Sequence, residues 1–160
     1  MAAKAVTFEL ATTEGFRVTQ RRIVAHARHL ADRLQAAGWR IVTGGTDTHL
    51  FLVDVGSRGL TGEQAENALQ AAGVLVNRNL IPFDRRPPLV TSGIRVGTPA
   101  VSFRGFGGAE IDQVADIMLA LLARPEDESV RQEARGQVLS LCRRFPIHGS
   151  EAGERVGNSC

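Results

Sequence analysis

The stretch from Gly15 to Ala37 places the strongest constraint on how this chain folds. Charged residues alternate there with apolar residues that recur every three or four positions, namely Ile23, Ala27, Leu30 and Leu34. This spacing predicts an amphipathic helix with a single apolar face. Such a helix buries its apolar face against another element, so the remaining sequence has to supply a layer that it can cover.

Short strands are predicted directly after this helix. Gly38 ends the helix, and the segments 39–43 (WRIVT) and 49–55 (HLFLVDV) both have the composition of a strand. The Gly44-Gly45 turn between them favours an antiparallel hairpin. A shorter helix, from Ala2 to Leu10, is expected ahead of the long one.

The second half of the chain continues to alternate helices with short strands. Thr61 and Gln64 have the spacing of a capping box, so a short helix is expected to begin there and to end at Gly73. The apolar residues Val74 to Val76 predict a strand after it. The segment 77–88 (NRNLIPFDRRPP) has three prolines and is expected to be a loop without regular structure.

One more strand and the final helices complete the pattern. Residues 89–100 (LVTSGIRVGTPA) predict a strand that ends at Thr98, a helix N-cap followed by a proline. A tail from Gly149 onward is polar and rich in glycine, which predicts disorder. Two apolar stripes at helical spacing predict the last two helices: Ile111, Val114, Met118, Leu121 and Leu122, then Val130, Ala134, Val138, Leu141 and Phe145.

This order of elements predicts a single α/β unit, in which helices cover one face of a small sheet of three or four strands. The other face would be exposed or would meet a partner. No apolar run reaches the ~20 residues that span a bilayer, and the N-terminus has no apolar signal segment, so a soluble, cytoplasmic protein is expected.

Composition also argues against several kinds of site. Eighteen of the 19 basic residues are arginine, and they form no basic tract interleaved with aromatics, so no nucleic-acid partner is expected. Cys142 and Cys160 are expected to be reduced thiols. His26 and His29 lie one helical turn apart without a nearby third ligand, so both are expected to be helix-surface residues and no metal site is expected.

Arg95 is the first candidate for a functional residue. Because side chains alternate along a strand, Ile94 and Val96 share one face, while Arg95 lies between Gly93 and Gly97 on the other. A guanidinium group on a face cleared by glycines could hold a ligand carboxylate through two hydrogen bonds. The alternative is an arginine paired with an internal Asp or Glu, and spacing alone does not decide between them.

The 77–88 segment is the second candidate. Asn77 and Asn79 flank Arg78, and the prolines that follow stiffen the backbone, so their amide groups could bind a polar heterocycle. Ordinary turn chemistry accounts for the same residue types. The sequence shows no nucleophile elbow, no phosphate-binding glycine loop and no paired-carboxylate motif, so no catalytic residue is expected in this chain.

Several stretches in order, GGTDTHLFLVDV, LTGEQAENAL, VNRNLIPFDRRPPLVTSGIRVGTPA and RGFGG, resemble the C-terminal part of serine hydroxymethyltransferases. The resemblance covers about residues 2–147. It implies the small C-terminal domain of a fold-type I pyridoxal-phosphate enzyme, with a small, mainly antiparallel sheet covered by helices after a long linking helix. The implied division is a linking segment over 1–37, a small domain over 38–148 and a tail over 149–160.

The same resemblance implies an activity and a set of site residues. The family interconverts serine and glycine, with pyridoxal phosphate as cofactor and tetrahydrofolate as one-carbon acceptor. Its SGIR arginine grips the substrate α-carboxylate, which implies that role for Arg95. Its VNKN motif, here VNRN, implies a folate contact for Asn79. Its Ser-Pro-Phe segment, which also contacts folate, corresponds to Pro87, Pro88 and Leu89.

Family members are much longer, and their N-terminal part holds the Schiff-base lysine. Lys4, the only lysine here, belongs to the AAKAV match and not to that motif. The chain alone is therefore expected to be inactive and to need a large-domain partner chain or a homo-oligomer. The alternative is a non-catalytic binding or regulatory remnant that associates with a full-length enzyme.

Overall fold

The structure, a computed structural model, describes residues 2–147, so the expected tail and Cys160 lie outside the described residues. Their chain order is α1 (Ala2–Ala11), α2 (Glu14–Ala36), β1 (Arg40–Ile41), β2 (Leu50–Asp54), α3 (Gly62–Ala71), β3 (Asn77–Asn79), β4 (Gly93–Gly97), α4 (Pro99–Phe103), α5 (Gly108–Ala123) and α6 (Glu128–Arg144). A short 3₁₀ turn, Gly56–Arg58, follows β2.

The four strands form one antiparallel sheet in the order β1-β2-β4-β3. The predicted hairpin of β1 and β2 is confirmed, although β1 is shorter than the predicted 39–43 segment because only Arg40 and Ile41 pair with Asp54 and Val53. The α/β prediction, with a small antiparallel sheet and accompanying helices, is confirmed.

One apolar core joins the helices to the inner face of the sheet, which we define by Phe51, Val53, Ile94 and Val96. The predicted stripe of α2 contributes Leu30 and Leu34, both almost fully buried. Other buried members come from α3, α5 and α6: Ala65, Leu69, Ile111, Ala115, Met118, Leu121, Leu122, Val130, Ala134 and Leu141. Burial of this apolar surface is the main force that holds the sheet against the helices.

Local sequence signals set the ends of α2 and α3. The Thr13 hydroxyl accepts a hydrogen bond from the Phe16 amide and starts α2. The capping box of α3 is confirmed, because the Gln64 amide donates to Thr61 Oγ1 at 3.0 Å and the Thr61 amide donates to Gln64 Oε1 at 2.9 Å. Gly73 adopts a left-handed φ of 91°, which glycine tolerates at a helix end.

The predicted strand at Val74 to Val76 is wrong, and the strand lies three residues later at Asn77–Asn79. The Val74 amide donates to Leu69 O and therefore belongs to the end of α3. The 77–88 segment is consequently not all loop. Asn77 to Asn79 pair with the edge of β4, and this tertiary pairing overrides the weak strand preference of asparagine.

Thr98 stands at the predicted N-cap of α4, but its hydroxyl does not cap the helix. The hydroxyl donates instead to the Ile23 carbonyl oxygen at 2.8 Å, which ties the end of β4 to α2. Next to this contact, His26 Nδ1 lies 2.8 Å from Ser102 Oγ, and both residues are buried. His26 is thus part of the contact between α2 and α4, and not the surface residue expected from sequence.

Candidate functional site

The candidate site lies on the outer face of the sheet, defined here as the face that bears Asn77, Arg95 and Gly97. Register partners in antiparallel strands share a face, so Arg95 has Leu52 on one side and Asn77 on the other. The buried neighbours Ile94 and Val96 point to the core, as the alternation predicts. Arg95 is exposed, and β4 therefore presents a cation on the surface of the sheet.

Within residues 2–147, the side chain of Arg95 makes one hydrogen bond, from Nη2 to Asn77 Oδ1 at 3.3 Å. No carboxylate of this part of the chain lies within ion-pair distance of it. The neutral Asn77 amide orients the guanidinium without neutralising its charge. Most of the donor groups of Arg95 therefore remain available to an external acceptor.

The two glycines beside Arg95 serve different purposes. A Cβ at Gly93 would lie 2.5 Å from Ile81 Cγ2 and 2.9 Å from Asn79 O, so the space above Gly93 is taken up by the protein itself. A Cβ at Gly97 would make only ordinary contacts, at 3.6 Å or more. The expected clearing beside Arg95 is therefore present on the Gly97 side and filled on the Gly93 side.

Asn79 lies on the same outer face as Arg95, because it pairs with Gly93. Diagonal neighbours in a sheet are about 7 Å apart, so Asn79 and Arg95 can both reach one ligand. Asn79 Nδ2 donates to the Leu80 carbonyl oxygen at 2.6 Å. This local hydrogen bond fixes the amide and leaves its oxygen as the remaining acceptor.

The 80–92 loop leaves β3 and returns to β4 around the carboxylate of Asp84. That carboxylate accepts hydrogen bonds from the Ser92 hydroxyl and amide at 2.7 and 2.8 Å, from the Arg86 amide at 3.0 Å and from the Ile81 amide at 3.3 Å. Partial burial opposes its ionisation, but these hydrogen bonds outweigh that effect and lower the pKa of Asp84 to about 2. An ionised Asp84 thus organises the loop.

The remaining predicted residues lie on the surface of this loop. Pro87, Pro88 and Leu89 are all exposed, and the carbonyl oxygen of Leu89 accepts a hydrogen bond from Arg78 Nη1 at 2.5 Å. The 80–92 loop thus begins directly after Asn79, contains Leu89 and leads into the strand that carries Arg95. The structure also shows a residue that the sequence reasoning missed: Phe83, fully exposed at a left-handed φ of 61°. No local motif predicts that conformation for a phenylalanine.

Arg78 lies opposite Ile94 in the sheet and has its partners on α3, the helix beside β3. Its Nε pairs with Glu66 Oε2, and its Nη1 lies 3.1 Å from Glu63 Oε1. The hydrogen bond to Glu66 is the main reason that the pKa of Arg78 is raised. Arg78 is therefore a fixed structural cation, whereas Arg95 is open to a ligand.

A cavity of about 590 Å³ adjoins this region and is lined by the 42–48 loop together with Leu50 and Leu52, the β2 neighbours of Gly97 and Arg95. Within residues 2–147, no three His, Cys, Asp or Glu side chains are grouped so that they could hold a metal ion. None of the described helices combines the length and apolar character needed to cross a membrane.

Comparison with known proteins shows the family to which this chain belongs. The family model described as serine hydroxymethyltransferase matches residues 1–118. A curated serine hydroxymethyltransferase of Nitrosococcus oceani is 46% identical over 149 residues, which are 93% of this chain and 36% of the relative. The chain thus spans about a third of the length of that relative and matches its C-terminal portion. It belongs to the serine hydroxymethyltransferase family.

Proposed function

We propose that this chain is the C-terminal part of a serine hydroxymethyltransferase, an enzyme that interconverts serine and glycine with tetrahydrofolate as one-carbon acceptor. The observation that carries the proposal is the exposed Arg95 guanidinium, which has one neutral hydrogen-bond partner and no carboxylate partner within residues 2–147. A planar cation with free donors suits a carboxylate bound through two hydrogen bonds.

Arg95 binds and orients the substrate in this proposal. It holds the α-carboxylate of serine or glycine through charge-assisted hydrogen bonds while proton transfers occur elsewhere. Fixing that carboxylate limits the rotation of the substrate and so gives the bonds at its Cα, including the Cα–Cβ bond of serine, a defined orientation. Arg95 is thus a substrate-binding residue.

Tetrahydrofolate is proposed to bind beside it, along β3 and the 80–92 loop. The amide of Asn79 offers a polar contact to the pteridine ring, and Pro87, Pro88 and Leu89 offer an exposed apolar edge. Apolar surfaces with a few fixed polar groups are typical of sites for heterocyclic ligands. The position of Asn79 on the same face as Arg95 supports this placement, since the one-carbon unit passes between the two substrates.

The residues of this chain do not by themselves form a site for pyridoxal phosphate. The sequence has one lysine, Lys4, and it lies on the exposed helix α1. A Schiff-base lysine and the phosphate contacts are therefore proposed to come from a large domain such as the relative has in its remaining length. In this division, residues 1–37 lead from that domain and residues 38–148 form the small domain.

Complementation tests the proposal. We define the complemented enzyme as this chain co-expressed with the part of the Nitrosococcus oceani relative that precedes the matched portion, in the presence of pyridoxal phosphate. We expect the two chains to purify together and to convert serine to glycine only when tetrahydrofolate is present. The chain alone, at the same concentration, is the control and should be inactive.

The result that would contradict the proposal is an assembled complex with a bound cofactor that does not convert serine. If the chain instead binds to an intact, full-length serine hydroxymethyltransferase and adds no activity, the result would indicate a regulatory remnant that associates with the enzyme.

A further inference from the structure

Arg78 connects three separate pieces of the candidate site. Its backbone amide donates to Glu66 Oε1 at 3.2 Å, and its Nε donates to Glu66 Oε2, which fixes β3 to α3. Its Nη1 donates to the Leu89 carbonyl oxygen at 2.5 Å and also lies 3.1 Å from Glu63 Oε1. One side chain therefore holds a strand, a helix and the far end of the 80–92 loop together.

These contacts close the loop at its base. Asn79 directly precedes the loop, and Leu89 lies near its end. Arg78 is next to Asn79 in β3, pairs with Glu66 on α3 and donates to the Leu89 carbonyl oxygen. Asp84 organises the interior of the loop through Ile81, Arg86 and Ser92, but it makes no hydrogen bond to Leu89 among the described residues. The Gly62 and Glu63 amides also hold the end of the loop on α3, because they donate to the carbonyl oxygens of Thr91 and Val90 at 3.0 Å each. Arg78 adds a side-chain link from β3 to Leu89, and through this link it contributes to the distance between Asn79 and Leu89.

Arg78 is well placed to act through its neighbours and not by direct contact with a ligand. It lies between Asn77 and Asn79 in the strand, so its side chain leaves the sheet on the side opposite theirs. Its side chain is 30% exposed and that of Glu66 only 14%, so this ion pair is shielded from solvent more than the other pairs on the surface. Shielded and charge-assisted contacts hold a geometry better than exposed ones.

We propose that Arg78 is a positioning residue for the folate site: it fixes Leu89 and its neighbouring prolines relative to Asn79, and so sets the width of the pteridine site. This inference rests on the proposed function. The arginine fork suits the task because Nε and Nη1 donate in different directions at once, to Glu66 and to Leu89. The single ammonium group of a lysine cannot make both contacts in the same way.

The test compares Arg78→Ala and Arg78→Lys in the complemented enzyme, with Arg85→Ala as control. Arg85 is an exposed cation of the same loop, with no side-chain hydrogen bond or ion pair among residues 2–147. Arg78→Ala is expected to raise the KM for tetrahydrofolate about tenfold, and Arg78→Lys by a smaller factor, because Leu89 loses its side-chain link to β3. The KM for serine should stay within about twofold, because Arg95 keeps its own partner.

Hydrogen exchange on the full chain provides a readout that needs no activity. The amides of the 80–92 loop should exchange faster in Arg78→Ala than in the wild-type chain, whereas those of β2 should not change. Unchanged exchange in the loop would overturn the inference. So would a parallel rise of both KM values, which indicates general loss of structure, or an equal effect of Arg85→Ala, which indicates simple attraction of the anionic folate. An inactive wild-type complex would contradict the proposed function itself.

Discussion

At the scale of single residues, Asp84 shows how one ionised group can shape a loop that has no regular structure. Four donors converge on its carboxylate, and every one of them lies within the 80–92 loop. A protonated carboxyl would lose part of this acceptor capacity and would be left partly buried. The loop therefore depends on the charge of this one residue.

Asp84→Asn is expected to lower the free energy of unfolding by roughly 1–3 kcal/mol at neutral pH, because an amide accepts fewer of these hydrogen bonds. The pKa of Asp84 is about 2 in the folded chain and near the ordinary 3.8 after unfolding. Since the unfolded chain binds the proton first as the pH falls, the contribution of Asp84 is complete above about pH 4 and is lost towards pH 2.

Urea unfolding at several pH values measures this effect. The difference in stability between the wild-type chain and Asp84→Asn should shrink as the pH falls from 4 to 2, while Asp32→Asn, an exposed control on α2, should show no such convergence. A constant difference across that window would contradict the role of the Asp84 charge.

The position of Arg95 could be predicted from the sequence, but several of the contacts around it could not. Strand alternation was sufficient to place Arg95 on the face opposite Ile94 and Val96, because the period of a strand is fixed by its geometry. Alternation did not reveal that Ile81 fills the space above Gly93, nor that Arg78 binds Glu66. Those contacts join residues distant in the chain, and their partners depend on the fold.

At the scale of elements, the packing of α3 against β4 leaves no room at Gly62. A Cβ there would lie 1.9 Å from Thr91 Oγ1 and 2.5 Å from the Gly93 carbonyl oxygen. Thr91 is itself buried, and its hydroxyl donates to Gly93 O at 3.1 Å. The first turn of α3 therefore lies directly against the backbone that leads into the Arg95 strand.

Gly62→Ala is expected to destabilise the chain by about 2 kcal/mol, because the added methyl group forces α3 away from this backbone. Gly136→Ala is the matched control. That glycine lies within α6 with nothing within 4 Å of its missing Cβ, so alanine should stabilise the chain by about 0.5–1 kcal/mol. Chemical denaturation measures both, and equal effects of the two substitutions would contradict the packing described here.

Elements differ in how well the sequence predicts them. The helices α2, α3, α5 and α6 follow from apolar spacing and capping residues, which are local signals. The strand β3 does not, because its residues are polar and it exists through pairing with the edge of β4. An apolar segment next to it, Val74 to Val76, gives a stronger but misleading strand signal, since Val74 and Val76 pack against the core without pairing in the sheet.

At the scale of the whole molecule, α1 has no buried residue within the described part of the chain. It nevertheless presents apolar side chains, and Val6, Phe8 and Leu10 are each more than half exposed. Exposed apolar surface of this kind favours association with another surface. The helix is where a large domain, or a second copy, is expected to make contact.

The isolated chain is therefore expected to self-associate, and the mass determined by sedimentation should exceed the 17.2 kDa of the monomer. The double substitution Val6→Glu and Leu10→Glu should shift it towards the monomer, because both residues lie on one side of α1. Leu139→Glu, at an exposed position of α6, is the control. Analytical ultracentrifugation measures the mass of each variant. A wild-type chain that is monomeric at micromolar concentration would contradict self-association through α1.

In the proposed function Arg95 holds the substrate carboxylate, and serine turnover by the complemented enzyme carrying Arg95→Ala tests this role. We expect kcat/KM for serine to fall by an amount equivalent to roughly 2 to 5 kcal/mol, because the carboxylate loses its charged partner. Arg135→Ala, an exposed control on α6, should behave like the wild type. Unchanged turnover of serine in Arg95→Ala would show that Arg95 does not hold the substrate carboxylate.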